Sequence, residues 1–119
     1  MIGAVFLTLA RSRWAARWIG ALFARYSRWL PVRRVRETEH ALAFWHPRPA
    51  YPIHILIVPK LALISLADLG SGAPNPAGAM LGLARTVAHD LELADYRLIL
   101  NGGAYQDVPQ IHLHLISGG

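Results

Sequence analysis

From Gln110 to Leu115 polar and apolar residues alternate one for one, the pattern of a half-buried β-strand. Side chains two apart on a strand share a face, so Gln110, His112 and His114 are expected to project together. Ile111, Leu113 and Leu115 then face the core. Ile53 to Pro59 is apolar at nearly every position and rich in β-branched residues, which predicts a central strand covered on both faces. Glu37 to Trp45 and Tyr96 to Leu100 read as two further strands, and Lys60 to Leu69 as an irregular stretch or short helical turn. His46 to Pro52 carries three prolines that exclude regular pairing and is read as a loop. Gly70 to Pro74 is another loop, after which Asn75 and Pro76 supply an N-cap and a proline at the first helical position. The helix they open is expected to run to about Leu93 and to bury Met80, Leu81, Leu83, Ala84, Val87, Ala88 and Leu91. Asn101-Gly102-Gly103 breaks the next strand, and residues 104–109 form a loop before the last one. This order argues for α+β with an antiparallel sheet of about four to five strands and one packing helix.

Residues 2–30 have a different periodicity. At 100° per residue Trp14, Trp18, Leu22, Tyr26, Trp29, Ile19, Phe23 and Leu30 gather on one side, and Arg13, Arg17, Arg25 and Arg28 on the other. That predicts an amphipathic basic helix. Its longest uncharged run is residues 1–10, well short of the roughly 20 apolar residues that a spanning helix needs. No basic region precedes that run, so it does not read as a signal peptide. Two readings stay open. The helix lies on an anionic membrane surface with Trp and Tyr at headgroup depth, or its apolar face packs on the sheet or on a second subunit. Nucleic acid fits less well, because the aromatics are segregated from the arginines.

Composition sharpens this division. At 119 residues the chain supports one domain, large enough to bury a core without disulfides. There is no cysteine, so thiolate chemistry and thiolate metal sites are excluded. That fits the cytoplasm, with residues 1–30 allowing a peripheral place at the inner face of a membrane. Residues 1–36 hold eight Arg and no acid, whereas residues 37–119 hold four Lys or Arg against seven Asp or Glu. The high pI therefore belongs to an N-terminal segment, with Arg33, Arg34 and Arg36 read as a basic linker, and residues 37–119 form a mildly acidic domain.

Two imidazoles and a carboxamide on one rigid strand are not required by core packing. Neutral imidazole is nucleophilic near pH 7 and suits a covalent phosphoryl or nucleotidyl step. His112 and His114 could instead supply two ligands of a zinc site, with His54 as the third. His40 and His89 read as ordinary surface or core histidines.

The run Gln106-Asp107-Val108-Pro109-Gln110-Ile111-His112-Leu113-His114-Leu115-Ile116 resembles the signature of the histidine-triad (HIT) superfamily of nucleotide hydrolases and transferases. That signature has three histidines alternating with apolar residues and a Gln four residues before the first. Here the first histidine position holds Gln110. Asn101-Gly102-Gly103 and Pro52-Ile53-His54-Ile55-Leu56-Ile57-Val58-Pro59-Lys60 resemble two further family segments, and the likeness covers residues 37–119.

The resemblance implies the HIT fold, a homodimer, and a nucleotide substrate attacked at its α-phosphorus without metal or cofactor. Phosphoramidates, dinucleotide polyphosphates and adenylylated conjugates are the classes it allows, with a purine nucleoside phosphate derivative as the expected substrate. It implies His112 as the nucleophile, His114 as a hydrogen-bond donor to phosphate or leaving group, and His54 as the residue that orients the nucleophilic ring. Gln106 and Asn101 would donate to phosphate oxygens, and Gln110 would imitate the bonding of a neutral imidazole. Phe44-Trp45-His46 occupies the nucleoside side, where relatives commonly carry a carboxylate that grips ribose; His46 stands there instead. Trp45 stacks on a base or fills the core.

Overall fold

The computed structural model describes residues 32–70 and 75–118. The amphipathic helix expected over residues 2–30, and with it the membrane question, lies outside the described residues, as does most of the loop before Asn75.

Five strands form one antiparallel sheet: β1 (Arg34–Glu37), β2 (Ala41–Trp45), β3 (Ile53–Pro59), β4 (Arg97–Leu100) and β5 (Leu113–Ser117). Their spatial order is β1-β2-β3-β5-β4, so the last strand inserts between β3 and β4. β3, apolar at every position but His54, is accordingly central. Among the described residues one α-helix, α1 (Pro76–Asp90), packs across one face. Its start follows the expected chemistry, with the Asn75 side chain accepting from the Ala77 amide at 3.0 Å and Pro76 at the first position.

The core lies between α1 and the sheet. Ala41 and Ala43 from β2, Ile55 and Ile57 from β3, and Leu113 and Leu115 from β5 meet Met80, Leu83, Ala84 and Val87. Alternation then turns Leu42, Phe44, His54, Leu56, Val58, His114 and Ile116 to the opposite face. The candidate histidines sit on that second face.

Four details differ from the sequence reading. Arg34–Glu37, read as linker and strand start, is an edge strand paired with β2, and Thr38 closes the hairpin by accepting from the Ala41 amide at 3.0 Å. Charge density masked it, because two of its charges, Arg36 and Glu37, find partners at long range. Lys60 Nζ reaches Glu37 at 2.6 Å and Arg36 reaches Asp90 at 2.6 Å. Secondly, α1 stops at Asp90, with Glu92 in the left-handed region at φ 54° and the Leu93 amide closing onto the Ala88 carbonyl at 2.9 Å. Thirdly, Leu81 is exposed rather than buried, since it lies on the outer side of the helix. Lastly, β5 begins at Leu113, not Gln110. Residues 110–112 turn to the segment after β3, where the Ile111 amide donates to the Leu63 carbonyl at 2.8 Å.

Candidate active site

The sheet register builds the site. β3 and β5 pair His54 with Ile116 and Leu56 with His114, so His54 and His114 are diagonal neighbours on one face. Their rings meet, His54 Nε2 to His114 Nδ1, at 2.9 Å. His112 lies one residue before β5, and its ring centroid is 4.9 Å from that of His114. The His46 amide donates to the His54 carbonyl at 2.9 Å, extending the β2–β3 ladder by one step. This stacks the His46 ring on His54 at 4.3 Å between centroids. Four imidazoles thus gather where the sequence reading joined three.

The loop after β2 decides what these rings present. Pro47, Pro49 and Pro52 have no N–H, but Arg48 and Ala50 between them do. The Arg48 amide donates to His46 Nδ1 at 2.9 Å, and the Ala50 amide donates to His54 Nδ1 at 3.1 Å. A ring nitrogen that accepts carries no proton, so both histidines, when neutral, hold theirs on Nε2. His54 Nε2–H then donates to His114 Nδ1, and His114 in turn carries its own proton on Nε2. His112 is set the opposite way. Its Nδ1 lies 2.7 Å from the Gln110 carbonyl, which can only accept, so Nδ1 carries the proton and Nε2 keeps its lone pair. His54 therefore orients His114, and the backbone of Gln110 orients His112.

All four rings are held neutral. Desolvation is the main cause throughout. It lowers His46 to about 4, helped by repulsion from His54 and His112 and opposed by Asp107. It lowers His114 to about 3, helped by His112, His54 and His46. It also lowers His54, together with His112, and lowers buried His112 against the opposing pull of the Gln110 carbonyl and Asp107. Unfolding returns each ring to its ordinary value of 6.5. The unfolded chain then binds more protons than the folded one, so this contribution to stability is fully present above pH 6.5. It is lost as pH falls through about 4 for His46 and about 3 for His114. Urea midpoints should therefore decline steadily from pH 7 to pH 4. A flat profile would contradict the neutral cluster.

The remaining candidates are less exposed to a ligand than their types suggest. Gln106 spends its amide on the carbonyls of Ile64 and Val108, bracing the loop that precedes His112. Gln110 is 1% exposed and donates to the Leu61 carbonyl at 2.9 Å. Its side chain ties the approach of β5 to the segment after β3 and does not join the rings. Phe44, paired with Leu56 in the row that continues to His114, is buried and forms the floor of the site. Asn101 follows Leu100, the last residue of β4, whose partner is Leu113, so it stands at the end of the ladder where β5 begins. Trp45 packs against the core below α1, with the Arg33 guanidinium 5.8 Å from its ring centre.

His46, His54 and His114 each bring a ring nitrogen within 4.8 Å of the others, a spacing open to a metal. This grouping contains His46 in place of His112, unlike the zinc set suggested by sequence. Its donor chemistry does not fit. Binding through Nε2 would require His46 and His54 to move their protons to Nδ1 and give up both backbone amide hydrogen bonds. The cluster is a set of N–H donors suited to an oxyanion. Sequence reasoning missed the Arg48 and Ala50 amides, whose one signal was the alternation of proline with residues that keep an N–H. It also missed Tyr51, whose ring meets His54 edge-on at 5.6 Å.

Comparison with known proteins agrees with this fold. Residues 28–119 match the HIT domain. A 13.2 kDa HIT-like protein of Azospirillum brasilense is 38% identical over 105 residues, covering 82% of this chain and 84% of the relative. The purine nucleoside phosphoramidase of Escherichia coli K12 is 32% identical over 93 residues, covering 75% and 78%. The crystal structure of a HIT family hydrolase from Legionella pneumophila superposes with a TM-score of 0.73 at 32% identity, covering 83% of this chain and 93% of that one. With its five-stranded antiparallel sheet, the helix packed on one face and histidines at and just before the start of β5, the chain belongs to the HIT family.

Proposed function

We propose that this protein is a nucleotide hydrolase or nucleotidyl transferase acting at the α-phosphorus, with His112 Nε2 as the nucleophile. The observation that carries the reading is the 2.7 Å contact between His112 Nδ1 and the Gln110 carbonyl, which leaves Nε2 unprotonated and directed away from the backbone. Attack forms an N–P bond as the bond to the leaving group breaks; that group departs with the electron pair and takes a proton from solvent. Water then attacks phosphorus, the N–P electrons return to Nε2, and the water's proton returns to solvent. The Nε2–H groups of His114 and His46 hold phosphate oxygens without adding charge, and Asn101 supplies a further amide where β5 begins.

The similarity to HIT family hydrolases and to a purine nucleoside phosphoramidase supports a purine nucleoside phosphate derivative as substrate. In this reading the active form is a homodimer, and residues 1–30 provide attachment to an anionic membrane surface. Among the described residues no helix is long and apolar enough to cross a membrane.

The reading is tested by AMP release from an adenosine phosphoramidate and from a dinucleotide polyphosphate, with no added metal. A chelator should leave both rates unchanged, because the tautomers are those of donors and not of ligands. Rates that collapse with chelator and recover with zinc would instead establish a metal-dependent hydrolase. Nucleotide binding without AMP release would favour a binding module in which the Gln110 position has cost turnover.

A further inference from the structure

The row of side chains that holds His54 continues beyond it. His54 pairs with Ile116, and Ile116 pairs with Arg97 on β4. Cross-strand partners share a face, so His46, His54, Ile116 and Arg97 line up across the sheet opposite α1. The adjacent row runs Phe44, Leu56, His114 and Ile99. With strands about 4.8 Å apart and same-face residues about 6–7 Å apart, the Arg97 backbone stands roughly 8 Å diagonally from that of His114.

A cleft of about 230 Å³ opens at this end of the row, lined by Tyr51, Asp95, Tyr96, Arg97, Ile116 and Ser117. Tyr51 joins it to the histidines, because the same ring meets His54. Tyr51 and Tyr96 are 38% and 49% exposed, leaving rings and hydroxyls open to a ligand. The volume is below the roughly 300–1,000 Å³ usual for whole small-molecule ligands, so it suits a phosphoryl group better than a nucleoside.

Charge points the same way. The imidazoles offer dipoles but no net charge. Arg36 is tied to Asp90 and Lys60 to Glu37, whereas Arg97 has no ion-pair partner among the described residues. Its guanidinium and the two phenols make the cleft chiefly a donor surface, with Asp95 as the opposing charge.

We propose that this cleft is a leaving-group subsite for an ionised polyphosphate chain, in which Arg97 selects substrates with an anionic leaving group over those that release a neutral amine. The proposal rests on His112 as the nucleophile. It makes Arg97 a specificity residue that touches the departing portion of the substrate.

The test compares kcat/KM for a diadenosine polyphosphate and for an adenosine phosphoramidate, together with AMP affinity, in the parent, Arg97→Gln and Asp95→Asn proteins. Loss of one charge-assisted contact should lower the polyphosphate-to-phosphoramidate ratio about tenfold or more in Arg97→Gln. Asp95→Asn should raise that ratio, and added salt should shrink both effects. A ratio that moves less than twofold in both variants, or both substrates falling in proportion, would overturn the subsite while leaving His112 chemistry intact. A parent that neither binds AMP nor releases it from either substrate would overturn the nucleophile assignment and the subsite with it.

Discussion

Replacing His112 by alanine should lower kcat/KM for AMP release by at least about 10³-fold while leaving nucleotide affinity within a few-fold of the parent. The split follows from the geometry. Alanine removes the one ring of the four whose Nε2 is kept unprotonated, yet it leaves His114 and His46, the donors proposed to hold phosphate. His114 cannot substitute as nucleophile, because its accepting nitrogen is occupied by His54 and its other nitrogen carries a proton. Depressed protonation adds a pH signature. Since burial lowers the His112 pKa below its ordinary 6.5, the acid limb of kcat/KM should lie below that value. An acid limb above pH 7, or an alanine variant that keeps a tenth of the parent rate, would exclude His112 as the attacking group.

The second large effect is on stability. Gln110→Ala should destabilise the fold by about 2–4 kcal/mol, read as a lower urea midpoint at unchanged slope. The side chain is almost fully buried, so truncation leaves a cavity and removes the 2.9 Å bond to the Leu61 carbonyl. Leu61 and Leu63 both receive bonds from residues 110–111, which makes this the seam joining the segment after β3 to the start of β5. Turnover should fall as well, through loosening of the backbone carbonyl that holds His112. Gln110→His, by contrast, should not raise turnover, because the position faces Leu61 and not the substrate. A Gln110→Ala protein within 0.5 kcal/mol of the parent would assign the residue to the surface of the site after all.

These two predictions also mark what the sequence made legible. The shared face of His112 and His114 follows from strict alternation, and β3 from a run that is apolar but for His54, because both patterns are imposed by burial of one or both faces of a sheet. The same alternation misled at Gln110. Its period implied a shared face, but a backbone bond from Ile111 to Leu63 ends the ladder before that residue enters it. β1 was hidden for another reason. Its arginines looked like a linker until Arg36 and Lys60 found Asp90 and Glu37, partners far apart along the chain. Gln106 had a suitable amide, but spacing says nothing of where an amide points, and here it points at two carbonyls. The tautomers were least legible of all, being set by backbone groups, the amides of Arg48 and Ala50 and the carbonyl of Gln110.

The central claim is covalent chemistry at His112, and the most direct test is to trap its product. Protein mixed with an adenosine phosphoramidate and quenched under mildly alkaline denaturing conditions, which preserve N–P bonds, would be digested and analysed by mass spectrometry. The account predicts one adenylyl group on the peptide that carries His112, absent from the His112→Ala protein and removed on longer incubation before quenching. AMP release at full rate with no adenylylated peptide, or with the label on another residue, would contradict it.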